Sequence, residues 1–298
     1  MASPNLGFVD LHIHSTASDG SLSPLEIIHL AKELGLRAIA ITDHDTIEGS
    51  AAALGQPQSP SLEVLSGIEI SADVPSGTMH ILGYLIELDA PSLTQTLKAV
   101  QEARAHRNVR IIKKLQDLGV DITHEEVLEV SGGGQVGRPH IAQVLVKKKV
   151  VRSFGEAFWK YLKKSGPAYV PRYRLQPAEA IQMILRAGGV PVLAHPFTLD
   201  AKDEGEFECI LRGLKQAGLM GMEVYYSEHR PERTALFERL ARRQGLLMTG
   251  GTDFHGAAKP EVQMGIGRGG LHVSYRLVEK LKEAKGQDRL KEPFPERD

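Results

Sequence analysis

The chain has 298 residues, of which 42% are hydrophobic and 24% charged, and a formal net charge of −1. These values exclude intrinsic disorder and supply a sizeable core, and the length suits one α/β barrel with an insertion as well as two domains. The lone Cys209 excludes an internal disulfide, no apolar run reaches transmembrane length, and the N-terminus lacks both the basic and the apolar part of a secretion signal, so a cytoplasmic protein without a membrane partner is expected.

Seven short apolar runs read as strands: Phe8–Leu11, Ala38–Thr42, Glu63–Ile70, Met79–Ile86, Val190–Ala194, Met222–Tyr225 and Leu246–Thr249. Most are β-branched or continuously apolar and alternate with helical patterns, as parallel strands buried on both faces require. The first helix is well punctuated. Ser23 caps it, Pro24 takes its first position, Glu26 completes a capping box, and Gly35 stops it. Repeated βα units of this kind predict a barrel with its site at the C-terminal ends of the strands.

From about residue 89 to 166 the strand signal gives way to helical patterns at Ser92–Leu118, Thr123–Val130, Pro139–Lys149 and Ser153–Lys164. The expected organisation is barrel over 1–88, helical insertion over 89–166, barrel again over 167–285, and a polar, poorly ordered tail over 286–298. Charge follows the same division. Lys98 to Arg174 holds 16 basic and 7 acidic residues, or +9, against 20 basic and 30 acidic elsewhere, or −10. Single lysines of such a run usually face water, but a basic segment on an acidic body also suits a lid for an anionic substrate.

Six of the twelve histidines fall at predicted strand ends together with three acids: His12 and His14, Asp19, His44, Glu69, His80, His195, Asp253 and His255. His12 and His14 alternate on a strand, so both face one side and can share an ion. One isolated histidine is usually a hydrogen-bonded core or surface residue; nine such groups at one kind of location point to metal ligation. Imidazole with carboxylate suits Mn, Zn or Fe, and the absence of a cysteine cluster argues against a structural zinc site. His29, His106, His124 and His272 lie on helical or charged segments and are read as ordinary hydrogen-bonded core or surface residues. Two G-x-G-x-x-G matches, 132–137 and 265–270, lack the strand-to-helix setting of a dinucleotide site, His124-Glu125 lacks the second histidine of a zinc-protease helix, and no P-loop is present.

Arg138 precedes Pro139 at a predicted helix start, where a guanidinium and free N–H groups together attract phosphate. Arg138, His140 and Arg172 are therefore candidate substrate-binding residues, with a plain surface role the alternative for Arg172. His229, after the sixth strand, is the candidate catalytic group, to protonate a leaving alkoxide or bind phosphate.

Asp10-Leu-His-Ile-His14, Ser18-Asp19-Gly20, Ile41-Thr-Asp-His-Asp45, Gly67-Ile-Glu-Ile-Ser71, Pro191-Val-Leu-Ala-His-Pro196 and Gly251-Thr-Asp-Phe-His255 resemble, in order, the motifs of the polymerase and histidinol phosphatase (PHP) superfamily of metal-dependent phosphoesterases. Gly137-Arg-Pro-His-Ile-Ala142 and Tyr169-Val-Pro-Arg-Tyr173 resemble the subgroup of nucleoside 3′,5′-bisphosphate phosphatases and 5′-to-3′ RNA exonucleases. The resemblance implies a distorted seven-stranded (β/α) barrel and two to three divalent ions, with Mn favoured and Zn, Fe or Mg admissible. It implies a first ion on His12, His14, Glu69 and Asp253, a second among Asp19, His44 and His255, and a third framed by Glu69, His80 and His195. Many family members carry histidine where this chain has Asp19.

The function so implied is hydrolysis of a nucleotide phosphate by a metal-activated hydroxide, with the 3′-phosphate of a nucleoside 3′,5′-bisphosphate favoured. Stepwise 5′-to-3′ cleavage of short RNA is the alternative. Histidinol phosphatase is less favoured because the insertion resembles the nucleotide subgroup. An amidohydrolase lacks its bridging lysine here, and a non-catalytic PHP binding module would have lost ligands. The expected partner is a small nucleotide or short RNA, with no obligate protein partner.

Overall fold

The computed structural model describes residues 7–57, 59–132 and 136–288. Nine strands and ten α-helices form a mixed α/β architecture, in the order β1 (Phe8–Ile13), α1 (Pro24–Glu33), β2 (Ala38–Ile41), α2 (Glu48–Leu54), β3 (Glu63–Leu65), β4 (Gly67–Ala72), β5 (Met79–Tyr84) and α3 (Pro91–Asp117). There follow α4 (His124–Ser131), α5 (Arg138–Lys147), α6 (Phe154–Ala157), α7 (Pro177–Arg186), β6 (Val190–Leu193), α8 (Glu204–Gln216), β7 (Gly221–Tyr226), α9 (Pro231–Gln244), β8 (Leu247–Gly251), β9 (Val273–Ser274) and α10 (Arg276–Asp288). A single π-helical turn, Phe158–Leu162, continues α6.

The strands form two open sheets, ordered β3-β2-β1-β9 and β4-β5-β6-β7-β8, and among the described residues no ladder closes them into the expected distorted seven-stranded barrel. The cause lies at Ser66. The run 63–70 reads as one strand, but the chain leaves the first sheet after Leu65 and enters the second at Gly67, so no ladder joins β3 to β4. Isolated bridges link the sheets instead, Ile13 to Phe254 and His44 to Glu69. The all-parallel expectation also fails in places: β4 with β5, β5 with β6, and β1 with β9 are antiparallel. Only residues 73–78 separate β4 from β5, too few for the crossover that a parallel pair needs.

Apolar side chains of β4 to β7 pack with α7, α8 and α9, while Val9, Leu11, Leu82, Tyr84 and Val192 fill the space between the sheets. Helices α3 to α6 carry a separate cluster around Ile111, Leu115, Ile141, Leu145 and Leu162. Ser23 caps α1 as expected: Glu26 N–H donates to its Oγ (3.3 Å) and Ser23 N–H donates to the Glu26 carboxylate (2.8 Å). The tail expected over 286–298 begins inside α10, and 289–298 lie outside the described residues, as do 133–135 of the first glycine motif. Among the described residues no helix is long and apolar enough to cross a membrane.

Candidate metal centre and anion cavity

All nine candidate ligands meet where the two sheets touch. Close approach of β8 to β1 requires glycine there, since a Cβ on Gly251 would run into the His12 backbone. Buried carboxylates tie the loops down. Asp10 accepts from Thr252 N–H (2.9 Å), Thr252 Oγ1 (2.6 Å) and Gly265 N–H (2.9 Å), and Asp43 accepts from Ser15 N–H (2.7 Å) and Ser18 Oγ (2.5 Å). Asp45, His195 and Asp253 all hold positive φ, at 53°, 23° and 57°. Such backbone strain in non-glycine residues persists where the surroundings over-determine it, commonly at functional sites.

Glu69 lies at the centre. Its Oε2 is 3.5 Å from His12 Nε2, 3.2 Å from His14 Nε2 and 3.0 Å from His44 Nδ1, while Oε1 is 2.8 Å from His80 Nδ1 and 3.0 Å from His195 Nε2. Asp253 Oδ1 lies 3.1 Å from His14 Nε2, and Asp19 Oδ1 lies 3.3 Å from His255 Nε2. Donor atoms converge in four overlapping groups: His12, His14 and Asp253; His14, Asp19, His44 and His255; His44, Glu69 and His80; and His12, Glu69 and His195.

This set suits divalent cations on two counts. His12 Nε2, His14 Nε2, His44 Nδ1 and Glu69 Oε2 are buried without a hydrogen-bond partner. Buried polar groups are rarely left so, and cations in the donor groups to which they belong would supply the missing partners. The charge is also right. Burial alone would raise the pKa of Glu69, Asp19 and Asp253, but the surrounding imidazoles outweigh it and hold all three well below the usual carboxylate range. Burial would likewise depress His14, yet Asp253 and Glu69 lift it to about 10, whereas burial pushes His80 down to about 4. The donors are nitrogen and oxygen only, as Mn, Zn and Fe accept.

Sequence reasoning missed three residues that orient this set. Glu223 accepts from His12 Nδ1 (2.9 Å) and His195 N–H (2.7 Å), which leaves the His12 Nε2 lone pair facing Glu69 and Asp253. A lone acid inside the apolar run Met222 to Tyr226 was its signal. Tyr226 OH and Lys259 Nζ both donate to Asp253 Oδ2, at 2.8 and 2.6 Å. His255 donates from Nδ1 to the Asp253 carbonyl (2.8 Å), turning its Nε2 toward Asp19.

Two cavities open on this centre, and both are lined by Asp19 and His44. One, of about 330 Å³, is walled by Glu69, His80, His195, Asp253, His255 and Lys259. The other, of about 170 Å³, is lined by Arg104, Arg107, Arg138, His140, Phe158 and Arg172. All three candidate substrate-binding residues thus share one cavity, with two arginines of α3 that the sequence reading passed over. Arg172 donates to Asp45 (3.2 Å) and Ser71 Oγ (2.9 Å), Arg138 to the Leu162 carbonyl (3.0 Å), and Arg104 pairs with Asp45. His140 accepts from Gly137 N–H (3.1 Å). Burial and mutual repulsion hold Arg107 down to about 10 and lower Arg104 and Arg138 also. Asp45 offsets Arg104 and Arg172, whereas Arg107 and Arg138 donate to backbone carbonyls and carry charge that attracts an anion.

His229 is placed differently. Its Nδ1 donates to the Val224 carbonyl (2.8 Å), its ring packs among Phe197, Tyr226 and Phe237, and it lines neither cavity.

A carboxylate and imidazole centre beside an arginine cavity could hold cations and attract an anion. The sequence profile of the PHP domain matches residues 10–170, and the chain belongs to that family. It is 32% identical over 246 residues, 83% of this chain and 89% of the relative, to the 5′-3′ exoribonuclease of Haemophilus influenzae. It is also 32% identical over 248 residues, 83% and 87% of the two chains, to the 3′,5′-nucleoside bisphosphate phosphatase of Chromobacterium violaceum. A solved structure from Bifidobacterium adolescentis, assigned as a metal-dependent phosphoesterase, matches with a TM-score of 0.80 at 29% identity, covering 94% of this chain and 96% of that one.

Proposed function

We propose that the protein is a metal-dependent phosphoesterase that removes the 3′-phosphate of a nucleoside 3′,5′-bisphosphate. The observation that carries this reading is the pair of adjoining cavities, one lined by metal-donor side chains and one by four arginines. A substrate with two phosphates fills both.

In this reading two to three divalent ions, with Mn favoured, are held by the four donor groups centred on Glu69, and they would neutralise charge on the scissile phosphoryl group and acidify an attacking water. The chain's own residues do the rest. Arg104, Arg107, Arg138 and Arg172 grip the remote phosphate, so that its binding energy lowers the chemical barrier at the other. His140 and Phe158 wall that phosphate from water. Glu223 fixes the His12 ring, and the neighbouring imidazoles keep Glu69, Asp19 and Asp253 anionic. Residues 89–166 act as a lid that supplies Arg104, Arg107, Arg138 and His140 to a body made of 1–88 and 167–285. His229 remains a candidate proton source only if its ring reaches the centre past Tyr226 and Phe197.

Stepwise 5′-to-3′ cleavage of short RNA stands beside this reading because the Haemophilus influenzae relative bearing that name is as similar as the phosphatase. A screen with Mn²⁺ that reads inorganic phosphate from the nucleotide and histidinol phosphate substrates and 5′-mononucleotide from RNA tests both. Nucleoside 3′,5′-bisphosphate should exceed 3′- and 5′-mononucleotides and histidinol phosphate in kcat/KM. A preference for short 5′-phosphorylated RNA selects the exonuclease, and a preference for histidinol phosphate refutes both.

A further inference from the structure

We propose that Lys259 is an internal counter-ion that competes with a divalent ion for Asp253 and so sets how tightly the centre loads, while Tyr226 keeps the second carboxylate oxygen turned to the histidines. The inference rests on reading the centre as a metal site. The two oxygens of Asp253 have different company. Oδ2 accepts from Lys259 Nζ (2.6 Å) and Tyr226 OH (2.8 Å), whereas Oδ1 faces His14 Nε2 at 3.1 Å and His12 Nε2 at 3.5 Å.

The backbone delivers the lysine there deliberately. After His255 the chain makes a 3-10 turn over Gly256–Ala258, and Lys259 N–H closes it on the Gly256 carbonyl (3.1 Å). Gly256 has φ 62°, and a Cβ on it would meet Ser21 Oγ, so the turn favours glycine. Lys259 thereby lines the same cavity as Asp19, Glu69, His80 and His255.

Among the residues lining that cavity, Lys259 is the one fixed cation of the lysine or arginine type, and it stands on a side chain that belongs to a donor group. An ammonium and a divalent ion on one carboxylate repel each other strongly at such range. Its presence therefore weakens loading, and it also compensates Asp253 when no ion is bound. Tyr226 is a neutral positioning residue on the same oxygen, with the opposite effect on affinity: it holds Oδ1 in line with His12 and His14, as outer partners of ligating carboxylates do.

Calorimetric titration of Mn²⁺ into chelator-treated protein separates these roles. Lys259→Met should bind its first ion at least tenfold more tightly than wild type and melt at a lower temperature when metal-free. Lys259→Arg, which keeps the charge, should stay within about threefold. Tyr226→Phe should bind about tenfold more weakly. If Lys259→Met does not fold without metal, chelator competition on protein purified with Mn²⁺ yields the same constant. Unchanged or weaker binding by Lys259→Met overturns the proposal, and wild-type affinity in Tyr226→Phe overturns the role of the tyrosine. A wild-type protein that takes up no Mn²⁺ overturns instead the metal reading beneath it.

Discussion

Replacing Arg107 by methionine should weaken substrate binding while leaving the phosphate-free fold almost untouched. Arg107 is only 6% exposed, its Nε donates to the Val170 carbonyl (2.9 Å), and one terminal nitrogen has no partner. Its pKa falls below the usual guanidinium range to about 10 through burial and the nearby charges of Arg138 and Arg172. At about 1.4 kcal/mol for each tenfold change in proton affinity, burial and the neighbouring charges together cost at most roughly 3 kcal/mol, less where solvent screens them. Because the folded value is the lower one, the cost is complete at pH 7 and is relieved only as pH climbs above about 10. Methionine removes the crowding and forfeits the hydrogen bond to Val170, itself worth about 1.5–3 kcal/mol, so the two nearly cancel. A bound phosphate changes the balance, since each charge-assisted hydrogen bond lost costs about 1.5–3 kcal/mol, or roughly 10- to 150-fold in kcat/KM. The loss should appear for a nucleoside 3′,5′-bisphosphate and be nearly absent for a 3′-mononucleotide, which has no second phosphate to hold. Steady-state kinetics on both substrates, with melting temperatures in the presence and absence of inorganic phosphate, measure every part of this. Equal losses on the two substrates would refute the assignment of this cavity to the remote phosphate.

His14→Ala and Asp253→Ala should each lose metal and several orders of magnitude of activity together; full activity in a variant shown by elemental analysis to be metal-free would remove the metal mechanism. His229→Gln distinguishes two roles for that ring: a proton donor to the leaving group loses about 100-fold or more in kcat, a packed ring only stability, and its aromatic walls lead us to expect the second. Ser23→Ala should cost about 1 kcal/mol through loss of the α1 cap, visible as a lower denaturation midpoint with unchanged kcat/KM.

What could be read in the sequence is what local chemistry dictates. The capping box of α1, the long helix α3 and the strand ends bearing His12, His14 and Asp253 follow from side-chain type and spacing, and those strand ends carry three of the nine candidate donors. The sheet topology does not follow in this way. Glu63 to Ile70 has the apolar content of one strand, and only its tertiary partners decide that it breaks at Ser66 and changes sheets. The two residues of β9 are too few for any periodicity to register.

The same division explains the site. The candidate ligands are visible because the placement of the histidines is conspicuous, whereas Arg104 and Arg107 sit at ordinary spacing on a charged helix and look like solvated residues. Only the fold turns that face of α3 inward, against Arg138 and Arg172 from distant segments. Glu223 gave a faint signal as an acid in an apolar strand, and Lys259 gave none, since a lysine near a loop proline is commonplace. Groups that bind ions directly are constrained in type and can be found by chemistry alone. Groups that orient those ligands, or crowd charge beside them, are defined by distance, and distance is what folding adds.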